Sequence, residues 1–206
     1  MRTLPVGRHA LLLEVDTADR AEALHAELLR RRAAGTLPAV REIVPAARTV
    51  LLDGLAEPAA LAAEVTGWRI PPLSAESGER IEIAVRYDGP DLAEVAELWS
   101  VPPAAIPEIV GAITFRVAFC GFAPGFGYLT GLPERYHLAR RATPRTAVPV
   151  GSVGLAGEYA GVYPRSSPGG WQLIGSTDAI LWDATREPAA LFAPGVRVRF
   201  VPVGAG

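Results

Sequence analysis

The sequence predicts an α+β unit followed by an all-β unit. Over roughly the first 85 residues, apolar residues recur twice with helical spacing and alternate with strand spacing in between. From Thr114 onward the pattern changes to short strand-like segments separated by glycine and proline. The chain is 50% hydrophobic and 20% charged, which is the balance of a folded globular protein. Its 206 residues suffice for one good core or for two small ones.

In the first unit, two helices alternate with four strands. The helix starts are marked by a capping residue or a proline, and the helix ends by glycine. This order predicts an antiparallel sheet with two helices on one face, of the split βαβ type. The elements are a strand from His9 to Val15, a helix capped by Asp16 or Thr17 and ending near Gly35, strands over Val40–Val44 and Thr49–Leu52, a helix from Pro58 to Gly67, and a strand from Ile81 to Tyr87.

A stretch rich in proline, serine and glycine, from Pro71 to Gly78, is the linker-like segment between the units. The strand-like segment from Ile81 to Tyr87 could belong to either side of the boundary. We place the boundary near residue 86, which gives an α+β domain over residues 1–85 and a β domain over residues 86–206.

The second unit opens with helices and continues with strands. Asp91 is placed to cap a helix, and the Pro102-Pro103 pair starts a further short one. The remainder is typical of a β-barrel or a β-sandwich. In the last strand-like segment, strict alternation places Val198 and Phe200 on the inward face.

Composition argues against several classes of function. The net charge is -2 and the arginines form no basic stripe, so the chain lacks the clustered cations that nucleic-acid binding requires. No apolar run approaches the roughly 18 residues of a membrane helix, and the first residues carry no small-residue cleavage site. The single cysteine, Cys120, is consistent with a reducing compartment. We therefore expect a cytoplasmic protein that binds neither nucleic acid nor membrane.

All of the basic residues are arginine, and the chain contains no lysine. It therefore has no lysine to contact nucleotide phosphates, to form a Schiff base or to carry biotin. The three histidines, His9, His25 and His137, are scattered, whereas a zinc site needs closely spaced histidine or cysteine. We expect neither covalently attached biotin nor a metal on this chain, and we expect any ATP to be bound with or by a partner.

The most informative stretch is GFAPGFGYL, from Gly121 to Leu129. Its glycines and proline predict a tight loop whose backbone N–H groups can converge on an anion or a developing oxyanion. A plain hairpin connection explains the same composition, because the stretch lacks the GxGxxG spacing. A second stretch, over residues 140–175, is so dense in glycine, proline and polar residues that it predicts loops lining a site on a rigid scaffold.

Three long motifs carry a resemblance to a known family. They are GFAPGFGYLTGLPERY, ATPRTAVPVGSVGLAG and GVYPRSSPGGWQLIGST, with VRYDGPDLAEVAEL as a weaker match upstream. From about Tyr87 onward, the sequence resembles the allophanate hydrolase subunit 1 family, which includes the B component of 5-oxoprolinase and an inhibitor of sporulation kinase A. The resemblance implies a carboxyltransferase domain, subdomains C and D, with an N-terminal α+β domain and a C-terminal cyclophilin-like β-barrel.

Two positions depart from the family pattern. Many members carry a histidine where this chain has Val110, and an arginine where it has Ser176. The loss of an imidazole and a guanidinium removes a potential acid/base group and a potential carboxylate clamp. The substrate can therefore differ from the family's best-known one.

The candidate catalytic residues are Arg145, Ser152 and Gln172. A forked guanidinium at Arg145 suits a carboxylate or carboxyphosphate group, but a structural salt bridge explains it equally well. Ser152 is a candidate nucleophile, although GSVG is not the GxSxG elbow and no histidine lies nearby in sequence. Trp171 suits either a stacking surface or a packed core. The predicted substrate-binding residues are Gly121, Phe122, Pro124, Gly125, Phe126, Tyr128, Tyr163 and Trp171.

The resemblance implies a subunit of a 5-oxoprolinase, which opens 5-oxoproline to glutamate with ATP, or of an allophanate-hydrolase-like complex. Such a subunit is expected to be inactive alone. It would share its active site with a companion chain of the family that comprises allophanate hydrolase subunit 2 and the C component of 5-oxoprolinase. The alternative is a regulatory protein that binds and inhibits a sensor histidine kinase. A peptidyl-prolyl isomerase follows from the fold alone, which is a poor guide to activity.

Overall fold

The computed structural model describes residues 1–74 and 78–204. The chain divides into two compact units, Met1–Ser77 and Gly78–Gly206, and the largest hydrophobic cluster of each lies within that unit. Residues 75–77, which belong to the predicted linker, lie outside the described residues. Within the described ranges, no helix is both long and apolar enough to cross a membrane.

The first unit is a four-stranded antiparallel sheet with two helices. The strand order is β1-β2-β4-β3. Both helices pack on the same side of the sheet, since their buried residues share one core with alternate residues of the two central strands. The elements, in chain order, are β1 Arg2–Val6, β2 Ala10–Glu14, α1 Ala18–Ala33, β3 Glu42–Pro45, β4 Thr49–Asp53 and α2 Pro58–Val65.

Helix α1 is held at both ends by side chains. At its start, Thr17 accepts a hydrogen bond of 3.3 Å from the backbone N–H of Arg20, which confirms one of the two predicted caps. Near its end, Arg30 and Arg31 donate to the buried carboxylate of Glu27 at 2.7 and 2.6 Å. These hydrogen bonds, chiefly that from Arg30, lower the pKa of Glu27 to about 2.

His25 gives the first unit a pH dependence. The side chain is buried on α1, and burial, with a contribution from Arg32, lowers the pKa of its imidazole from 6.5 to about 4. The unfolded chain therefore binds this proton at a higher pH than the folded chain does. The resulting stabilisation is complete above about pH 6.5 and is lost as the pH falls toward 4.

We expect the free energy of unfolding to fall by about 2 kcal/mol more between pH 7 and pH 4.5 in the natural chain than in His25→Gln. Urea unfolding curves at both pH values measure the difference. Glutamine cannot titrate, so the variant retains only the pH dependence of the other groups. Equal losses in the two proteins would contradict a buried, neutral His25.

The second unit is built around a seven-stranded sheet in the order β12-β9-β10-β7-β6-β13-β5, beside a separate ribbon of β8 and β11. Two short 3₁₀ turns, Pro103–Ala105 and Glu134–Tyr136, complete it. The elements, in chain order, are β5 Arg80–Val85, α3 Leu92–Trp99, α4 Ile106–Gly111, β6 Phe115–Cys120, β7 Gly127–Thr130, β8 Arg145–Val148, β9 Ser152–Ala156, β10 Tyr159–Val162, β11 Ser167–Gly169, β12 Gln172–Ser176 and β13 Arg197–Pro202.

This sheet curls into a nearly closed barrel. Just beyond the edge strand β5, the backbone of Arg86 exchanges two hydrogen bonds, of 2.9 and 2.8 Å, with Ser176 at the end of the other edge strand. Strands β5 and β13 are parallel, and the other paired strands are antiparallel. Val198 and Phe200 are fully buried in the core. The predicted barrel, with these two side chains inward, is present.

Strand β5 pairs with β13 and so lies in the second sheet, whereas the sequence analysis assigns this segment to the first unit. The division between the compact units accordingly falls at Ser77 and Gly78, ahead of the expected position near residue 86. The alternating pattern of β5 fits either sheet, and its partner is distant in sequence, so the local pattern could not decide between them. The first sheet instead gains β1, which the sequence analysis does not predict.

Candidate functional site

Five of the predicted binding residues meet in one aromatic cluster. Phe126 lies at its centre, with ring centroids 5.1 Å from Tyr128 and 5.4 Å from both Tyr163 and Trp171. Phe122 packs against Phe126 at 5.3 Å. The rings meet edge to face, the arrangement that aromatic quadrupoles favour.

The aromatic cluster is separate from the barrel core and lies on the opposite face of the strands. Gly161 on β10 makes room for it, because a Cβ there would lie 2.9 Å from Cζ3 of Trp171 and 3.0 Å from Cζ of Phe126. Trp171 and Tyr163 are almost fully buried. Trp171 therefore packs as a core residue would, whereas Phe122 is 57% exposed.

The glycine loop, which joins β6 to β7, is mostly closed on itself. The N–H groups of Gly121, Ala123 and Phe126 donate to carbonyl groups inside the loop at 3.2, 2.8 and 3.0 Å. The loop turns through positive φ angles of 68° at Phe122 and 84° at Gly125. Among the residues that the structure describes, the N–H groups of these two residues donate no hydrogen bond. The predicted hairpin connection is therefore present, and within the described chain it leaves two N–H groups free.

Pro124, the remaining predicted residue of the loop, is exposed. Its fixed φ suits the tight loop, so its conformational role is clear from the backbone alone.

A charged network surrounds the buried carboxylate of Asp91, whose side chain is 3% exposed. Arg145 Nη2 donates to Oδ1 at 2.6 Å, and Arg141 Nη1 donates to the same oxygen at 2.8 Å. The backbone N–H of Leu173 donates to Oδ2 at 2.7 Å. The predicted capping role of Asp91 is wrong, because its side chain makes no capping bond to α3 and is turned toward the arginines instead.

Gln172 joins this charged network from β12. Its Nε2 donates to Glu94 Oε1 at 3.3 Å, and its Oε1 accepts from Arg141 Nη1 at 3.5 Å. Arg141 also pairs with Glu94 Oε2 at 3.0 Å. The candidate residues Arg145 and Gln172 thus lie in one network, joined through Arg141 and Asp91. Neither of these two was selected from the sequence, although Asp91 lies in the weaker upstream motif.

Arg145 forms the salt bridge that the sequence analysis set beside a substrate role. Its other terminal nitrogen, Nη1, is buried and has no hydrogen-bond partner among the described residues. A buried N–H without an acceptor is costly. In native proteins such a group calls for an acceptor such as water or an ion, or for a functional role.

Tyr163 connects the aromatic cluster with the charged network. Burial raises the pKa of its phenol, against the lowering effect of Arg140, of Arg145 and of a hydrogen bond from the backbone N–H of Trp171. The hydroxyl therefore keeps its proton at neutral pH and lies in the field of two guanidinium groups.

Ser152 has the geometry of a structural residue. It is 6% exposed, and its hydroxyl donates to the carbonyl oxygen of Pro149 at 2.8 Å in the turn that leads into β9. Of the two family departures, Val110 is fully buried in the barrel core. The Ser176 hydroxyl hydrogen-bonds to both carboxylate oxygens of Asp88, at 2.9 and 3.0 Å.

Over residues 1–74 and 78–204, no three or more histidine, cysteine, aspartate or glutamate side chains are grouped to hold a metal ion. His137 Nε2 lies 2.9 Å from the carbonyl oxygen of Leu132, and His9 Nδ1 lies 3.2 Å from that of Leu55. The chemistry that this surface offers is therefore that of arginine, tyrosine and backbone N–H groups.

Two relatives share strong sequence similarity with the chain, and both are the 5-oxoprolinase component designated B. That of Escherichia coli O157:H7 is 50% identical over 125 residues, which are 59% of this chain and 57% of that protein. That of Haemophilus influenzae is 44% identical over 140 residues, 66% of each protein. The chain thus spans less than two thirds of the length of these relatives.

A solved structure and a family model agree with these similarities. The crystal structure of TTHA0988 matches 96% of this chain and 40% of its own chain with a TM-score of 0.76 at 32% identity. The model of the family described as carboxyltransferase domain, subdomain C and D, matches residues 1–192. The resemblance drawn from the motifs is confirmed, and this chain belongs to the carboxyltransferase domain, subdomain C and D, family.

Proposed function

We propose that the chain is a subunit of a 5-oxoprolinase, or of an allophanate-hydrolase-like complex, which opens 5-oxoproline to glutamate with ATP or acts on a related amide. Relatives at 50% and 44% identity are named as one of the subunits of 5-oxoprolinase, and such a name implies companion chains. The companion would belong to the family of allophanate hydrolase subunit 2 and the C component of 5-oxoprolinase. The two units would be the α+β domain and the cyclophilin-like barrel domain of a cytoplasmic protein.

The observation that carries this proposal is the buried Nη1 of Arg145, which has no acceptor among the described residues and belongs to a network that also holds Arg141. Guanidinium N–H groups bind carboxylates strongly, and 5-oxoproline carries a carboxylate beside its lactam ring. The aromatic cluster ends in the exposed ring of Phe122, which offers a flat apolar surface next to this charge. A small anionic amide suits both features.

The roles of the chain follow from these contacts. Arg145 would bind the substrate carboxylate, with Arg141 and the protonated hydroxyl of Tyr163 beside it. The N–H groups of Phe122 and Gly125 would stabilise negative charge that develops as the amide is attacked. ATP, bound with or by the companion, supplies the phosphoryl group that activates the amide. Gln172 is held by Glu94 and Arg141 and would keep the arginine in place.

The complex of this chain with its companion should form glutamate from 5-oxoproline only when ATP is present, and the isolated chain should form none. In this complex, Arg145→Ala and Arg145→Lys should raise the KM for 5-oxoproline by about tenfold or more, because neither side chain supplies the guanidinium fork. Steady-state kinetics with a coupled glutamate assay measures both effects.

The matched control is Arg80→Ala, which removes a surface arginine of β5 that pairs with the exposed Glu82 and should leave the KM unchanged. Circular dichroism shows whether each variant is folded. If the unaltered complex forms no glutamate, the proposed function fails. If both folded Arg145 variants keep the original KM, Arg145 does not bind the substrate.

A further inference from the structure

We propose that Asp91 is a positioning residue which holds Arg141 and Arg145 side by side as a binding site for the carboxylate of the substrate. The inference rests on the proposed function and adds to it the residue that sets the geometry of the site. The sequence alone gives Asp91 a different role, that of a helix cap, which its contacts do not support.

Asp91 is itself fixed from several sides. Its backbone N–H donates to the carbonyl oxygen of Leu173 at 3.0 Å, and its Oδ2 accepts from the backbone N–H of the same residue at 2.7 Å. Two residues earlier, the N–H of Gly89 donates to the carbonyl oxygen of Ile174 at 3.3 Å. The carboxylate is therefore anchored to β12 through backbone atoms, which are the least mobile part of the barrel.

With Oδ2 occupied by Leu173, both arginines meet the other oxygen. Arg145 Nη2 and Arg141 Nη1 lie 2.6 and 2.8 Å from Oδ1. A purely structural arginine–carboxylate pair favours two parallel hydrogen bonds to two oxygens. Here each guanidinium gives a single bond to the carboxylate, so the rest of each fork remains for another acceptor, and Nη1 of Arg145 has none among the described residues.

The charges around this point leave room for one more anion. The positive groups are Arg140, which acts on the Tyr163 hydroxyl, together with Arg141 and Arg145. The negative groups that face them are Asp91 and Glu94. Three positive charges against two negative ones favour a singly charged ligand, such as a monocarboxylate.

Arg141 and Arg145 are also within reach of a ligand. Their side chains are 30% and 25% exposed, whereas that of Asp91 is 3% exposed. The arrangement thus has a buried anchor and partly open guanidinium groups. A residue that acts in this way should affect how well the carboxylate is bound more than how stable the protein is.

The experiment uses the complex with the companion chain and measures binding by calorimetry of 5-oxoproline and of its neutral analogue 5-oxoprolinamide. Asp91→Glu keeps the charge but moves the carboxylate by one methylene. We expect it to weaken 5-oxoproline binding by about tenfold and to leave the binding of the neutral amide within about twofold. A role in folding alone would change the binding of both ligands alike. The control is Glu97→Gln, which neutralises an exposed residue of the same helix.

Asp91→Asn provides the second variant, and decides if Asp91→Glu does not fold. The asparagine oxygen can still accept from Leu173, but its amide NH₂ cannot accept from a guanidinium, so the preference for the carboxylate should fall again. Tighter binding of 5-oxoproline by Asp91→Asn would show that Asp91 competes with the substrate for the arginines. That result, or an unchanged preference in both folded variants, overturns the inference.

Turnover in the same preparation keeps the two proposals distinguishable. A complex that binds 5-oxoproline in preference to the amide, but forms no glutamate, contradicts the proposed function and leaves the role of Asp91 to be decided by the two variants. An unaltered complex that binds both ligands equally contradicts the carboxylate site and hence the inference.

Discussion

Gly89→Ala should lower the free energy of unfolding of the barrel unit by about 3 kcal/mol or more. Gly89 lies against the backbone of β12, where a Cβ would overlap the carbonyl oxygen of Leu173 and the carbonyl carbon of Ile174 and lie 2.5 Å from the nitrogen of Gly175. Backbone atoms of a paired strand cannot yield as a flexible side chain can. The segment would have to leave β12, and the hydrogen bonds of Gly89 and Asp91 to this strand would be lost.

Urea unfolding followed by circular dichroism measures this effect. The matched control is Gly170→Ala in the same unit, where the nearest atoms to a new Cβ are Cβ and Cγ of Pro144 at 3.6 Å, an ordinary contact distance. Its stability should stay within about 1 kcal/mol of the natural chain. If Gly89→Ala were as stable as Gly170→Ala, the segment before α3 could not lie as close to β12 as the structure shows.

Phe126→Ala should destabilise the barrel unit by about 3 to 5 kcal/mol, while Phe122→Ala should change its stability by no more than about 0.5 kcal/mol. The two phenylalanines lie in the same loop. Phe126 is 2% exposed and touches four other rings, whereas Phe122 is 57% exposed. Phe122 also holds a positive φ of 68°, which disfavours a large side chain and limits what its removal can cost.

Both variants can be compared with the natural chain by chemical unfolding, and near-ultraviolet circular dichroism reports on the packing of the remaining rings. A similar loss of stability from the two substitutions would mean that the cluster is not centred on Phe126. In that case Phe122 would be packed in solution, and its proposed place as an exposed surface for substrate would have to be given up.

Elements with strong local signals could be predicted from the sequence. The Thr17 cap, the proline that begins α2 and the alternation in β13 each depend on neighbouring residues, and each appears where expected. Strand β1 has no comparable signal, since its sequence RTLPV contains a proline and has only partly buried or exposed positions. It becomes a strand because β2 offers a free edge, which only the tertiary structure shows.

The same distinction applies to the site. The density of glycine and aromatic residues correctly directed attention to the surface where Phe126, Tyr163 and Trp171 meet. The sequence analysis missed Asp91 as a partner of Arg145, because an aspartate before a helix already has a local explanation as a cap. The two residues are 54 positions apart, so their pairing depends on how the barrel closes.

The pairing of β5 with β13 has a consequence for how the protein is made. These strands stand at opposite ends of the barrel unit's sequence, so during synthesis β5 leaves the ribosome well before its neighbour in the sheet exists. Its buried residues, Ile83 and Val85, must wait without this partner. Pairings between distant segments form slowly, and unpaired edges invite association with other chains. The nascent chain would therefore benefit from a chaperone until β13 has emerged and the barrel can close.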